Sequence, residues 1–378
     1  MIDISKLRGI QITVQQFRGF LRIITILHSF IKLHSIKKCI PVWYDIHGSE
    51  QKTMVTQVHK NIYRIRLTLP QNPLKNLNSY FLRGDESDLL IDTGFRRPEC
   101  RKDLLDGLAM LGSFRDRRRV YVTHMHGDHI GQADLVCGDD RPIYLSATDL
   151  GYYKRFLSGE MDGERLPLYV RQGYPEEILK KTYSTNQAIT MTMDHADERL
   201  CAVEEGTLLR VGTYELRVIS VPGHTPGNTM LWMEKEGIMF TGDHVLFDIT
   251  PNITSWPWMD DALGAYIESL KKVKDYPVRL ALPGHRESGE YKSRIEEILA
   301  HHERRLADTL RIIRETPYLS AYEIASRMKW KIRASSWEEF PLQQRWFATG
   351  ECLSHLDYLK KRGSIRSVEE NGVVRYCV

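Results

Sequence analysis

The sequence predicts an α/β protein carrying a small appended domain of helices and one β-hairpin. Three observations predict it. Apolar strand-like runs alternate with helical periodicities between residues 54 and 300, and several of these runs end in Gly followed by His or Asp. After residue 300 the pattern changes to helices closed by two short strands. A chain of 378 residues is long enough for one large core and an appendage. Its composition, 42% hydrophobic and 27% charged, is ordinary for a soluble globular protein, and no apolar run is long enough to span a bilayer. We therefore expect a cytoplasmic protein. Cys39, Cys100, Cys137, Cys201, Cys352 and Cys377 lie far apart with no CxxC pair, which fits reduced thiols better than a disulfide framework or a thiolate zinc site.

Residues 1–53 read as a basic N-terminal extension, with eight Lys/Arg against three Asp/Glu. Within it Phe17, Phe20, Leu21, Ile24, Leu27 and Ile31 share one helical face, with Arg18, Arg22, Ser29 and Lys32 opposite. We read this as a segment packed on the body or poorly ordered; a membrane-facing or partner-facing amphipathic helix is the alternative. No small-residue cleavage site follows it, so it is not read as a signal peptide, and Met54 is a candidate natural start. Residues 301–378 carry 14 Lys/Arg against 10 Asp/Glu, which at a total of +4 leaves the central region at −5. By charge alone that centre does not look like a polyanion-binding surface.

From Met54 onward "KNIYRIRLTL", "LNSYFLR" and "DLLIDTG" form a strand meander, "RPECRKDLLDGLAML" a helix, and "RRVYV" a short buried strand. "YLSATDLGYYKRFL" and "PEEILKKTY" read as helices, in a region with no evident strand before Gly206. Strands resume at "GTLLRVG", "YELRVISV", "NTMLWME", "GIMFTGD" and "VRLALPGH", with helices from Ala262 to Lys274 and from Tyr291 onward. In the tail, "HHERRLADTLRIIRE", a short helix capped by Ser320, and "QQRWFATGECLSHLDYLKKRG" ending at Gly363 precede a hairpin turning at "ENG". Three helices and a β-hairpin make a winged-helix-like outline. The expected domains are 1–53, 54–300 with a helical lid at about 149–199, and 301–378.

The stretch "THMHGDHIG", Thr123–Gly131, follows the buried strand and packs three histidines and an aspartate into six positions. His124 and His126 alternate on extended chain and can point the same way, while Asp128 and His129 follow Gly127, where the backbone can turn. One such loop offers ligands to two neighbouring metal ions but cannot close both coordination spheres. Further ligands are needed at strand ends downstream, and His224 in "VPGHTPGN", Asp243 in "FTGDHV" and His285 in "LPGHRE" supply them.

This ordered set resembles the metallo-β-lactamase superfamily, with its HxHxDH motif and later His, Asp and His ligands, over roughly residues 55–300. The resemblance implies an αββα sandwich and two divalent metal ions, Zn²⁺ first with Fe or Mn as alternatives. By it, His124, His126 and His224 would hold one ion, Asp128, His129 and His285 the other, and Asp243 would bridge them. Asp128 and Asp243 are thereby the carboxylates nearest the chemistry. A water shared by two cations ionises near neutral pH and becomes the nucleophile, and the metals stabilise the oxyanion formed on attack. Asp92 matches a position whose carboxylate orients a ligand from behind; its alternative is a strand-end cap. His244, next to Asp243, is read as supporting the ligands from behind or as structural, and Thr123 and Thr225 stand near enough to hydrogen-bond.

Departures from the family's branches narrow the reaction. Zinc β-lactamases of the best-known type carry Cys where Asp243 stands, flavodiiron proteins carry Glu where His126 stands, and β-CASP nucleases need an insertion for which the Asp243 to His285 spacing leaves no room. The sequence is most similar to glyoxalase II-type hydrolases and relatives with a C-terminal winged helix, implying hydrolysis of a thioester or ester-type small molecule. Tyr153 and Tyr174 on the lid, beside Tyr152 and Tyr169, and Trp256 and Trp258 in "TSWPWMDD" are the candidate substrate-binding residues; ordinary packing is the alternative for the tyrosines. The second reading is a metal-dependent ribonuclease or phosphodiesterase whose winged helix binds nucleic acid through Lys329, Lys331, Arg333, Lys360, Lys361, Arg362 and Arg366. We expect the winged helix to serve packing or dimerisation instead, and a homodimer is left open.

Overall fold

The computed structural model describes residues 54–332 and 334–378; the basic N-terminal extension and its amphipathic stretch lie outside them. The first sheet has seven strands in chain order: β1 (Val55–His59), β2 (Ile62–Thr68), β3 (Asn76–Leu82), β4 (Asp88–Ile91), β5 (Arg118–Tyr121), β6 (Ile143–Ser146) and β7 (Leu200–Val203). Its first four strands pair antiparallel, the predicted meander, and β4 to β7 run parallel. The second sheet is ordered β12 (Leu280–Pro283), β11 (Ile238–Gly242), β10 (Thr229–Met233), β9 (Tyr214–Ser220), β8 (Leu208–Val211), with β12 parallel to β11 and the rest antiparallel.

Strand alternation places every second side chain in one of two cores. Ile62, Tyr80, Leu82, Leu89, Ile91 and Tyr121 of the first sheet share a buried cluster with Leu216, Val218, Leu231, Met233, Ile238 and Phe240 of the second, so the sheets face each other. The intervening residues turn outward: Ile65, Leu67, Phe81 and Val120 join Leu104 and Leu108 of helix α1 (Pro98–Met110). Met230, Trp232 and Met239 belong to the same outer cluster, as do Leu263 and Leu270 of α8 (Ala262–Val273) and Ile295 of α9 (Tyr291–Glu315). The result is the metallo-β-lactamase architecture of helices outside two facing sheets. Residues buried on both strand faces explain the near-continuous apolar runs of β10 and β11.

Two expectations are corrected between the sheets. "IYLS", partly read as the start of a helix, is β6, and "LCAV", inside the stretch read as strand-free, is β7. Each has four residues, too few to show a period, and each is fixed by parallel pairing with a distant partner. Helices α2 (Gly127–Ile130) and α3 (Ala133–Val136) precede β6, and between β6 and β7 lie α4 (Ala147–Leu157), α5 (Glu160–Arg171), α6 (Glu176–Ser184) and α7 (Gln187–Thr190). Helix α5 holds Pro167 in its interior, which masked it in the sequence.

Helix α9 runs unbroken through residue 300, where the expected domain boundary falls, and residues Thr53–Val378 form one compact unit. After it come α10 (Ala321–Arg327), α11 (Leu342–Lys361) and the hairpin β13 (Arg366–Glu370) with β14 (Val373–Cys377). Asn371 and Gly372 take φ of 52° and 76°, the left-handed pair that a two-residue hairpin turn requires. Ile312, Ile324, Leu353, Leu356, Ile365 and Tyr376 close a separate core over these elements. Ser320 caps α10 as expected, completed by Glu323 in a reciprocal capping box. Ser320→Ala should therefore cost about 1 kcal/mol, read as a lowered denaturant midpoint with an unchanged slope.

Candidate metal centre

All seven expected ligands converge at one rim of the two sheets, on loops that follow β5, β9, β11 and β12. The buried strands carry the chain to this rim, and the turns there leave side chains projecting into the space between the sheet ends. His124, His129 and His285 are fully buried, and Asp128, His224 and Asp243 nearly so. One atom from each of His124, His126 and His224 forms a set within 4.8 Å, and so does one from each of Asp128, His129 and His285. His129 belongs also to a set with His124 and Asp243. Asp243 stands between the two groups: its Oδ2 is 3.7 Å from His224 Nε2 and 3.3 Å from His285 Nε2, and its Oδ1 is 3.5 Å from His129 Nε2.

The histidines are held from behind. His129 Nδ1 donates to Asp92 Oδ2 at 2.8 Å, His224 Nδ1 to the Asn252 carbonyl at 2.9 Å, and His285 Nδ1 to the Asn76 carbonyl at 2.7 Å. Thr123 Oγ1 donates to Asp92 and stands 3.1 Å from His124 Nδ1, whose proton it accepts. Each of these bonds commits the outer ring nitrogen and leaves Nε2 facing inward. Inside, Nε2 of His129, His224 and His285 and Oδ1 of Asp243 are buried without a hydrogen-bond partner among the described residues. Burying so many unpartnered ring nitrogens beside a carboxylate is costly unless positive charge, a proton or a metal ion, is shared among them. This donor set therefore fits divalent metal ions.

Gly127 opens the short helix α2 without a positive φ, and Asp128 and His129 stand in its first turn. The strained positions lie elsewhere. Asp92 has φ 58°, and its carboxylate also accepts from the Thr123 N–H at 2.8 Å. Gly223 has φ 138°, and a Cβ there would lie 2.4 Å from Cβ of Tyr266. His244 turns from the cluster to stack edge-on with Tyr266 at 5.0 Å.

Electrostatics separate the two halves. Burial, then neighbouring imidazoles, hold His124 well below the ordinary histidine value and His126 at about 3. Burial also lowers His224. Burial opposes charge on His129, but Asp92, Asp243 and Asp128 outweigh it and hold this group well above its ordinary value. His285 follows the same logic: against burial, Asp243 and Asp128 raise it to about 10.

Asp149 escaped the sequence reading. At the start of α4 it is fully buried, and its carboxylate accepts from the Met125 N–H at 2.9 Å, Thr225 Oγ1 at 2.7 Å and the Gly227 N–H at 2.6 Å. It thereby ties the His124–His126 loop to the His224 loop. Its only local signal is Ser146 three residues earlier, which caps its N–H. Thr225 thus acts through Asp149, and Thr123 through Asp92.

The expected substrate residues divide. Trp256 stacks on His126 at 5.9 Å and donates Nε1–H to the His224 carbonyl at 3.1 Å, so it walls the site. Trp258, at φ 61° and 45% exposed, lies edge-on to Tyr152 with the Arg155 guanidinium 4.3 Å above its ring. Tyr153 and Tyr174 are corrected: both are buried, Tyr153 donating to the Met193 carbonyl and Tyr174 packing between Tyr169 and Tyr322. A large ring buries itself against the nearest apolar layer: Tyr153 on α4 joins the outer core, and Tyr174, in the connection between α5 and α6, joins Leu179 and Trp346.

Facing sheets with imidazoles and carboxylates gathered at one rim, four of the five histidines bonded from behind, define a metal-binding αββα protein. The chain belongs to the metallo-beta-lactamase superfamily, whose description matches residues 73–285. It is 24% identical over 316 residues to the probable metallo-hydrolase YqjP of Bacillus subtilis (strain 168), spanning 79% of this chain and 92% of that protein. It is 22% identical to the beta-lactamase-like protein 2 homolog of Caenorhabditis elegans, over 75% of this chain and 84% of that one. It is also 25% identical to an atrochrysone carboxyl ACP thioesterase of Emericella nidulans, of which it spans 57%. Among solved structures, a metallo-beta-lactamase family protein from Thermus thermophilus matches with TM-score 0.72 at 26% identity, covering 85% of this chain and 99% of that one. A beta-lactamase domain protein from Burkholderia ambifaria matches with TM-score 0.74 at 25% identity, covering 85% and 94%. Coverage of 85% exceeds what residues 54–300 supply, so this likeness extends past residue 300.

Two outcomes follow from the geometry. Zinc uptake at the His129 and His285 side should release about two protons at neutral pH, because both imidazoles carry protons that the metal must displace. Its affinity should rise about tenfold per pH unit for each proton displaced, while uptake at the neutral His124, His126 and His224 side stays nearly flat; calorimetry in buffers of different ionisation enthalpy reads both. Asp149→Ala should cost about 3 kcal/mol by orphaning three buried donors, measured by denaturant titration.

Proposed function

We propose that this chain hydrolyses a thioester or related ester with two divalent metal ions, Zn²⁺ ahead of Fe or Mn, in the manner of glyoxalase II-type hydrolases. The observation that carries the reading is the set of buried, partnerless Nε2 atoms and the Asp243 carboxylate facing one another while the opposite ring nitrogens are bonded outward. Metal ions bound there would acidify water and polarise the scissile carbonyl. His124, His126 and His224 would hold one ion, Asp128, His129 and His285 the other, and Asp243 both. Asp92 keeps His129 aimed by accepting its Nδ1–H. Trp256 closes the side of His126 against water and, with Tyr152 and Trp258, offers an apolar wall to an acyl group. Thioesterase names among the relatives support this substrate class, at low identity and over just over half of those proteins.

We further read the C-terminal helices and hairpin as a winged-helix-like packing module. Two of the basic residues named for nucleic acid are engaged internally: Arg362 pairs with Asp261 at 2.8 Å and Arg366 donates to Cys377 at 3.2 Å, while Arg375 of the hairpin pairs with Glu323 and Glu370. Arg333 lies outside the described residues. A nuclease needs such charges free for phosphates, and at these two positions they are taken. The five described cysteines are unpaired, and no helix among the described residues is long and apolar enough to cross a membrane, which fits the cytoplasmic placement we propose.

Metal analysis of the purified chain and of His124→Ala and Asp243→Ala should find two ions per wild-type chain and fewer in each variant. Both variants should lose at least ~10³-fold in kcat/KM on a panel of acyl thioesters. Two metals fully retained in both variants would sink the metal centre. Cleavage of single-stranded RNA with an inert thioester panel would move the reaction to phosphodiesters.

A further inference from the structure

We infer that Glu351, on the C-terminal helix α11, is a positioning residue of the metal centre, acting on His224 through Asn252. The inference rests on the metal-centre reading above and extends it to a part of the chain that the ligand motifs do not touch.

The path is continuous. The Asn252 carbonyl accepts the Nδ1–H of His224 at 2.9 Å, and the Asn252 side chain donates Nδ2–H to Glu351 Oε2 at 3.1 Å. Glu351 Oε1 takes Nη2–H of Arg305 at 3.1 Å, in a pair only 9% and 14% exposed. Arg305 is itself fixed, donating to the Lys329 carbonyl at 2.8 Å with its guanidinium 3.9 Å over the Trp330 ring. An amide that donates to an anchored carboxylate cannot rotate freely, so its own backbone carbonyl keeps one direction. That direction sets the tautomer and aim of His224.

The rest of the loop is held on the same helix. Ser354 Oγ donates to the Ile253 carbonyl at 2.6 Å, the Ser255 N–H to the Gly350 carbonyl at 3.3 Å, and Ser255 Oγ to Asp357 Oδ2 at 2.8 Å. Gly350 makes the approach possible, since a Cβ there would fall 2.3 Å from Thr254 Oγ1 and 2.4 Å from the Tyr169 hydroxyl. On its other side the loop carries Trp256, stacked on His126 and bonded to the His224 carbonyl. Helix α11 therefore underlies both a ligand and the wall beside it.

The test reads zinc affinity, without catalysis, by competition with a chromophoric chelator on the full chain. Glu351→Ala and Asn252→Ala should each weaken one of the two binding steps about ten- to a hundredfold, the usual effect of losing a partner behind a ligand, and leave the other step near its wild-type value. The double variant should be no weaker than the stronger of the two single effects, because both remove one path. Ser320→Ala, which destabilises the same C-terminal region without touching the loop, should leave both steps unchanged. Wild-type zinc affinity in Glu351→Ala, additive losses in the double variant, or equal loss in Ser320→Ala would overturn the assignment. Should Glu351→Ala fail to fold, Asn252→Ala decides alone, since it keeps the backbone carbonyl and removes only the tether. A wild-type chain that takes up no zinc would remove the metal centre itself, an outcome distinct from any of these.

Discussion

Five imidazoles and two carboxylates share one buried volume at the end of two sheets, and the rest of the fold is organised around making that tolerable. Histidine is a weak base with two unlike nitrogens, and burial alone leaves both undecided. The structure decides them from the outside: Asp92, Asn76 and Asn252 each take the Nδ1 proton of one ring, and Thr123 relays Asp92 to another. With the outer nitrogen committed, Nε2 of His129, His224 and His285 has no hydrogen-bond partner among the described residues, and the site is built to receive positive charge. Asp92, Asp243 and Asp128 raise His129 against its burial, and Asp243 and Asp128 raise His285, so of the five rings these two are the more basic.

This requirement explains the sheet order. Strands that end together deliver loops to one rim, and parallel β4 and β5 bring Asp92 and Thr123 side by side, so the Thr123 N–H reaches the carboxylate across the strand gap. Parallel β11 and β12 do the same for Asp243 and His285. Antiparallel neighbours would place these ends at opposite rims. The hydrophobic core between the sheets fixes their separation, and a closely packed core does not deform continuously, so the ligand spacing inherits its rigidity.

What the sequence made legible follows from which groups do the work. His124, His126, Asp128 and His129 lie in one short stretch, and His224, Asp243 and His285 each follow an apolar strand and a glycine, so residue type and local position together expose them. Asp92 was recognised for the same reason. Asp149 was not: a lone aspartate near a helix start resembles a cap, and what distinguishes it is three donors from residues 125, 225 and 227, which only the fold brings together. Asn252 is further hidden, because its contribution to His224 is a backbone carbonyl that any residue could offer. Strands β6 and β7 were lost because four residues carry no period, and Tyr153 and Tyr174 were misplaced because an aromatic residue on a helix or in the connection after one does not announce which layer it faces. The Trp256 wall was legible through its position just after the Asp243 strand.

The composition of α11 closes the argument about the C-terminal region. Trp346, Ala348, Thr349, Gly350, Cys352, Leu353, Ser354, His355, Leu356 and Leu359 are all buried, so polar and apolar residues alike are covered and no single face is left to solvent. A helix of an independent module would show an apolar stripe toward its own core and a charged face outward. Here one side packs on α10 and the hairpin core, another on the Asn252 to Trp256 loop, and its C-terminal end on α8 through Arg362 and Asp261. Small residues at Gly350 and Ser354 then serve close approach to that loop, and Glu351 and Asp357 face it as acceptors. Severing the chain near residue 300 would cut α9 in its middle and strip the loop behind His224 of its support. The C-terminal helices are thus part of the catalytic body in the physical sense that matters: without them the direction of one metal-facing imidazole is unspecified.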